Sequence, residues 1–250
     1  VSAPDAADRG NWAIALAQAY AKKKIAGVLL EPVDLVPDSC EASKKVLSIL
    51  AARKIPVILL DRDYLPFPQR SRYDLVGIDN MESGYKIAMH MIGNGAKRLR
   101  FLTHPNYANT IRGRIYGVAQ AAIDAGLEWK SEYVIETDPT DLSFFRRLMR
   151  GGGAPDAFIC RNDPTAAKLM QTLGALNIKV PKKVQVGGFD DSEIANLTAP
   201  TLTTIHQPVK TLAEIAVASL LQRTRNPSLA PRTILIDAPI VVRGSSKASG

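Results

Sequence analysis

The chain has 250 residues, 46% of them hydrophobic, enough to bury one large core or two modest ones. The net charge of +8 is spread along the chain, with short basic groups only at residues 22–24, 97–100 and 146–150, and no DNA- or RNA-binding motif accompanies it, so it reads as solvated helix ends. Two cysteines without CxxC spacing, three scattered histidines and no apolar run of about 18 residues argue against a disulfide framework, a metal site and a membrane span, leaving a soluble cytoplasmic protein as the expectation.

Short β-branched runs alternate with amphipathic stretches from end to end, the pattern of parallel βαβ units. A first helix is expected over residues 11–24, feeding a strand at 26–30. A second helix at 41–53 precedes the strand 56–60, whose end carries Asp61-Arg62-Asp63. After a short strand at 75–78, Asp79-Asn80-Met81-Glu82 has capping-box spacing for a helix running to about residue 92. A strand at 99–102 closes this first group.

The second group opens with a helix at 109–125, stopped by Gly126. Strands near 133–135, 157–160 and 184–186 alternate with helices near 142–150 and 165–176. A long helix over 208–223 and strands at 233–236 and 239–243 complete the chain. The Ser/Gly-rich tail from Gly244 is expected to fray.

Polar side chains sit where buried strands end, the edge at which open α/β sheets bind ligands. Asp61 ends one such strand. Asn162-Asp163-Pro164 ends another: Asn162 can donate and accept toward a hydroxyl ligand, and Asp163 before a proline suits the N-cap of the next helix. Phe189-Asp190-Asp191 ends a third, with Asp191 expected to begin a short helix. Phe189 is a candidate wall for the ligand, as are Phe144, Phe145 and Tyr107.

No GxSxG elbow, GxxxxGK[ST] loop or GxGxxG fingerprint occurs, and Gly151-Gly-Gly153 is followed by Ala-Pro, a loop after a helix. Adjacent aspartates diverge and rarely flank one bond, so Asp190-Asp191 is a poor catalytic pair. Neither catalysis nor a cofactor is expected.

The run from Pro155 to Pro208, with Cys-Arg-Asn162-Asp163-Pro164, Val186-Gly-Gly-Phe-Asp-Asp191 and Leu202-Thr-Thr-Ile-His-Gln-Pro208, resembles the effector-binding domain of LacI/GalR-type transcription regulators. Ile25–Leu30, Ile55–Arg62, Val76–Asn80, the helix from Arg112 to Gly126 and Val241-Val-Arg-Gly-Ser245 extend the resemblance over nearly the whole chain in family order.

The resemblance implies an α/β fold of the type I periplasmic-binding-protein kind: two Rossmann-like lobes with parallel sheets, joined by three crossovers, and a ligand cleft between them. The first lobe would take residues 1–103 and 207–230, the second 104–206 and 231–250. The family's first βαβ unit and DNA-binding headpiece have no counterpart in the sequence, so more chain is expected upstream. The resemblance further implies a sugar or sugar derivative as small-molecule effector, a homodimer, operator DNA contacted through the headpiece, and no membrane partner. Arg114, three residues before Gly117, falls where the family places an effector-gripping arginine. Arg112 is a weaker candidate on another helix face. Asp190 matches an effector contact, and the counterpart of Asp61 faces the cleft. A GntR-type headpiece is a variant of this reading. A solute-binding protein of a transport system shares the fold and is the alternative.

Overall fold

The computed structural model describes residues 8–33, 39–105 and 107–246. The chain divides into two compact units. The first comprises residues 1–78, 106–110 and 208–236, and the second 79–105, 111–207 and 237–250.

The first unit is built on β1 (Val28–Leu30), β2 (Val57–Leu60), β3 (Asp74–Ile78) and β9 (Thr233–Ile236), in the order β1-β2-β3-β9 and parallel throughout. Helices α1 (Arg9–Ala21) and α2 (Ser39–Ala52) pack on each other and bury Ala17, Val46, Leu47 and Leu50 against Val57 and Leu59. The long helix α8 (Val209–Arg225) packs against β1, β2 and β3.

The second unit holds β4 (Leu99–Thr103), β5 (Val134–Glu136), β6 (Ala157–Cys160), β7 (Gln185–Asp190), β8 (Thr203–His206) and β10 (Ile240–Val241). Their order is β10-β8-β7-β6-β4-β5, with only β10 antiparallel. Every residue of β6 is buried, as expected of a central parallel strand covered on both faces. The helices of this unit are α3 (Asn80–Gly93), α4 (Asn109–Asp124) from Ile111 onward, α5 (Leu142–Arg150), α6 (Asp163–Ala175) and the short α7 (Glu193–Leu197). Leu102, Phe145, Phe158, Leu169, Leu173 and Val186 form the centre of its core.

The fold is the expected α/β architecture with two parallel-sheet lobes, but two strands and a helix change place: α3, expected in the first lobe, belongs to the second unit. The resemblance places residues 99–103 in the first lobe, yet β4 lies inside the second sheet, between β6 and β5, where Phe101 and Leu102 are fully buried. The resemblance places residues 233–236 in the second lobe, yet β9 pairs with β3 from Leu75↔Thr233 to Ile78↔Ile236. Hydrophobic pattern alone does not distinguish which sheet a strand joins, because it reports burial and not the neighbour.

The tail is a further correction. Ser245 and Ser246 are buried, Ser245 Oγ donates to the Val186 carbonyl at 2.6 Å, and Ser246 Oγ lies 2.8 Å from His90 Nε2. The chain is therefore stitched to the second unit through residue 246, while residues 247–250 lie outside the described part. None of the described helices is long and apolar enough to cross a membrane.

Candidate ligand-binding site

The site in the second unit starts from a close helix crossing. Cβ atoms added at Gly84 of α3 and Gly117 of α4 would lie 2.1 Å from the Arg114 carbonyl oxygen and 1.9 Å from the Met81 carbonyl oxygen. Only glycine permits two backbones to approach so nearly. The crossing brings Arg114 of α4 against Asn80, the first residue of α3, whose preceding Asp79 caps the helix through Glu82 N–H at 2.9 Å.

Arg114 is 4% exposed. Its Nε donates to Asn80 Oδ1 at 2.8 Å and its Nη1 to the Arg161 carbonyl at 2.5 Å, while the guanidinium sits 4.3 Å from the centre of the Phe189 ring. Nη2 faces Asp190, 3.6 Å from Oδ1. A planar fork fixed on three sides thus presents one edge to a carboxylate.

Asp190 ends β7 with φ +104°, and Asp191 follows with φ +52°. Two consecutive non-glycine residues in this region cost about 1–3 kcal/mol each, so the surroundings must impose the turn. Asp191 does not begin a helix. It accepts from Arg243 Nη2 at 2.7 Å and lies 3.0 Å from His206 Nδ1, locking the turn to the neighbouring strands. The short helix starts two residues later, after Ser192.

The cap of α6 falls to Asn162 and not, as expected, to Asp163. Asn162 is the N-cap of α6: its Oδ1 accepts from Thr165 N–H at 3.1 Å and Thr165 Oγ1 at 2.7 Å, which leaves the side-chain amide as the donor available to a ligand. Asp163 is no cap. Its carboxylate is buried and accepts from Thr204 Oγ1 at 2.6 Å and from Ser192 N–H at 2.8 Å. Burial pushes its pKa up to about 6, against the hydrogen bonds from Thr204 and Ser192, with the nearby Asp190 charge adding to the rise. Gly188 makes room for it, since a Cβ there would lie 2.3 Å from Asp163 Oδ1.

Other candidates separate. Phe189 has no exposed surface and backs Arg114 instead of lining the site. Phe145 is equally buried, edge-on to Phe144 and Phe158 in the core. Arg112 is half-buried on α4 and makes none of the contacts of Arg114 among the described residues. Asp61 belongs to the first unit, with φ +66°. Its Oδ2 accepts from Arg62 Nη1 at 2.7 Å, and Arg62 reaches the Pro32 carbonyl at 3.0 Å and Glu31 at 2.9 Å. Asp61 is thereby held at the carboxyl ends of β1 and β2.

Asn80, Asp163, Arg243 and His206 carry the site or its frame and were not foreseen in those roles. A single sequence offers no signal for them, because each acts through partners 15 to 52 residues away. Among the described residues no cluster of His, Cys, Asp and Glu could hold a metal ion.

The family described as "Periplasmic binding protein-like domain" matches residues 88–246. The chain is 26% identical over 231 residues to the HTH-type transcriptional repressor PurR of Photobacterium profundum, covering 91% of this chain and 66% of the relative. It is 28% identical over 228 residues to the ribose operon repressor of Escherichia coli K12, covering 90% and 66%. The solved structure of the transcriptional regulator CelR in complex with cellobiose superposes with a TM-score of 0.79 at 23% identity, over 95% of this chain and 71% of that one. The chain thus spans about two-thirds of the length of the curated relatives it matches. Both relatives carry the name of a transcriptional or operon repressor, and neither that of an enzyme.

Proposed function

The chain belongs to the periplasmic binding protein-like domain family, as an effector-binding domain of the LacI/GalR type, and from this premise we propose that it binds a small, hydroxyl-rich effector, a sugar or sugar derivative, and so sets the operator affinity of a transcription regulator. The observation that carries the reading is the Arg114–Asp190 pair. A guanidinium fixed by Asn80, Arg161 and Phe189 faces a carboxylate at the end of a buried parallel strand. Neighbouring hydroxyls are well served by such a pair, since the guanidinium only donates and the carboxylate only accepts.

Asn162 adds a donor through its side-chain amide. Asp61 is proposed as a further contact on the resemblance. The names of the ribose operon repressor and of the CelR–cellobiose complex support a sugar as the first class to test. Regulation then requires only that the effector prefer one of two arrangements of the regulator. A tenfold preference is worth about 1.4 kcal/mol of bias. Dimerisation and operator contact through a headpiece complete the proposal.

A thermal-shift screen against monosaccharides, disaccharides, sugar acids, sugar phosphates and nucleobases tests it. At 100 times Kd a ligand stabilises by about 2.7 kcal/mol, a visible shift. A hit lost in Arg114→Ala and Asp190→Ala supports the reading. A hit retained in both removes these residues from the site, and a well-folded sample that binds nothing in the panel removes the effector class.

A further inference from the structure

We propose a second binding site, in the first unit, for a small organic anion that joins an apolar body to a phosphate or similar group. A cavity of about 500 Å³ opens there between the start of β2, the start of β3 and the end of α8. That volume lies within the range of small-molecule sites, about 300–1,000 Å³. Val57 and Asp74, the first residues of their strands, line it. The site is therefore at the amino ends of the sheet, whereas Asp61 follows the carboxyl end of β2, about 13 Å along at the usual rise per strand residue. It shares no lining residue with the candidates already described, and it stands independently of the function proposed above.

The walls are apolar and the charge is cationic. Ile55 and Leu229 supply greasy surface, with the Tyr73 ring beside them and Arg72 5.7 Å from its centre. Buried Asp74 is the carboxylate of the cavity, and it is already satisfied: Arg223 Nη2 lies 2.9 Å from both of its oxygens, and Arg232 N–H donates at 2.7 Å. Arg223 is spent as a donor on Asp74 and on the carbonyls of Leu229 and Ala230, so it contributes its field and not a free hydrogen bond. Lys54 and Arg72 also line the cavity, and among the described residues no carboxylate pairs with either. The cavity lining thus holds one carboxylate and three cations, Lys54, Arg72 and Arg223, with Arg232 behind Asp74 at 3.5 Å.

Lys54 has φ +55°, where a helix end ordinarily carries glycine or asparagine. Its N–H is tied to the Ala51 carbonyl at 2.9 Å, and Ile55 N–H to that of Leu50 at 3.1 Å. The turn holds the lysine at the cavity wall in a conformation that costs a side chain energy. An anionic head would meet Lys54 and Arg72, and its apolar body would lie between Ile55, Tyr73 and Leu229.

Phenyl phosphate is the probe, titrated calorimetrically into the whole chain, into the double variant Lys54→Gln/Arg72→Gln, and into Asp190→Ala as a control in the other unit. Both substituted cations are exposed, so the double variant keeps the fold, and its thermal midpoint checks this. The expected result is saturable binding to the wild type, weakened about tenfold or more in the double variant and unchanged in Asp190→Ala. Inorganic phosphate should bind more weakly than phenyl phosphate, because it leaves the walls unused. Equal affinity in the double variant, equal affinity for benzyl alcohol, loss in Asp190→Ala, or absence of saturable binding would each overturn the proposal.

Discussion

Arg114 and Asp190 face each other across 3.6 Å, Nη2 to Oδ1. The gap is too long for a hydrogen bond and short enough for strong attraction in a half-buried place. Arg114 is held independently by Asn80, Arg161 and Phe189. Asp190 is held by a turn that Asp191, Arg243 and His206 lock from behind. Each partner keeps its place without the other, so a ligand hydroxyl entering here meets prepared geometry and little ordering cost.

The helix crossing that places Arg114 should be intolerant of a single methyl group. In Gly117→Ala the new Cβ would press on the Met81 carbonyl, a backbone atom that cannot swing aside. A loss of about 2–3 kcal/mol or more is expected in urea unfolding. Gly93→Ala, on α3 with nothing within 4 Å of the added Cβ, is the matched control and should be neutral or slightly stabilising.

The two roles of Asn162 can be separated by charge. Asn162→Ala should lose about 1 kcal/mol, because the Thr165 N–H loses its cap. Asn162→Asp retains the acceptor and should hold stability within about 0.5 kcal/mol, but it lacks the amide donor and brings a negative charge into the unit that carries Asp190. Effector affinity should therefore fall in both variants while the thermal midpoint falls only in the first.

Asp163 predicts a pH signature. Its pKa is about 6 in the fold, above the ordinary 3.8, so between those values the native chain holds a proton that the unfolded chain has released. Stability from this group is then full below about pH 4 and declines as pH rises through 6, by up to about 3 kcal/mol. Asp163→Asn removes the titration. Its thermal midpoint, subtracted from that of the wild type at pH 4, 5, 6 and 7, should show the wild type losing ground steadily across this window. A flat difference would mean that the carboxylate is ionised throughout.

The alternation of strands and helices was readable because both faces of each central strand are buried, as in the apolar run of β6. The Asp79 cap was readable because its spacing to Glu82 is local, and so was Gly126, whose φ of +70° fits a helix stop. Sheet membership of β4 and β9 was not, since a strand's neighbour is chosen by the whole chain. The choice of Asn162 over Asp163 as the cap has a similar cause. Both residues can cap α6, and what decides is the pair Thr204 and Ser192, 41 and 29 residues away, which claims Asp163 for the interior. Arg114 and Asp190 were legible through family resemblance, while Asn80, which orients the arginine, emerged only with the crossing at Gly84 and Gly117.

The most direct test of the central claim is a calorimetric titration of the effector that gives the largest thermal shift, carried out on the wild type, Arg114→Lys and Asp190→Asn. Lysine keeps the charge of Arg114 but not its fork, and asparagine keeps the shape of Asp190 but not its charge. Both variants should remain folded and bind at least about tenfold more weakly, a loss of about 1.4 kcal/mol or more. Wild-type affinity in both folded variants would contradict the assignment of the site to this pair.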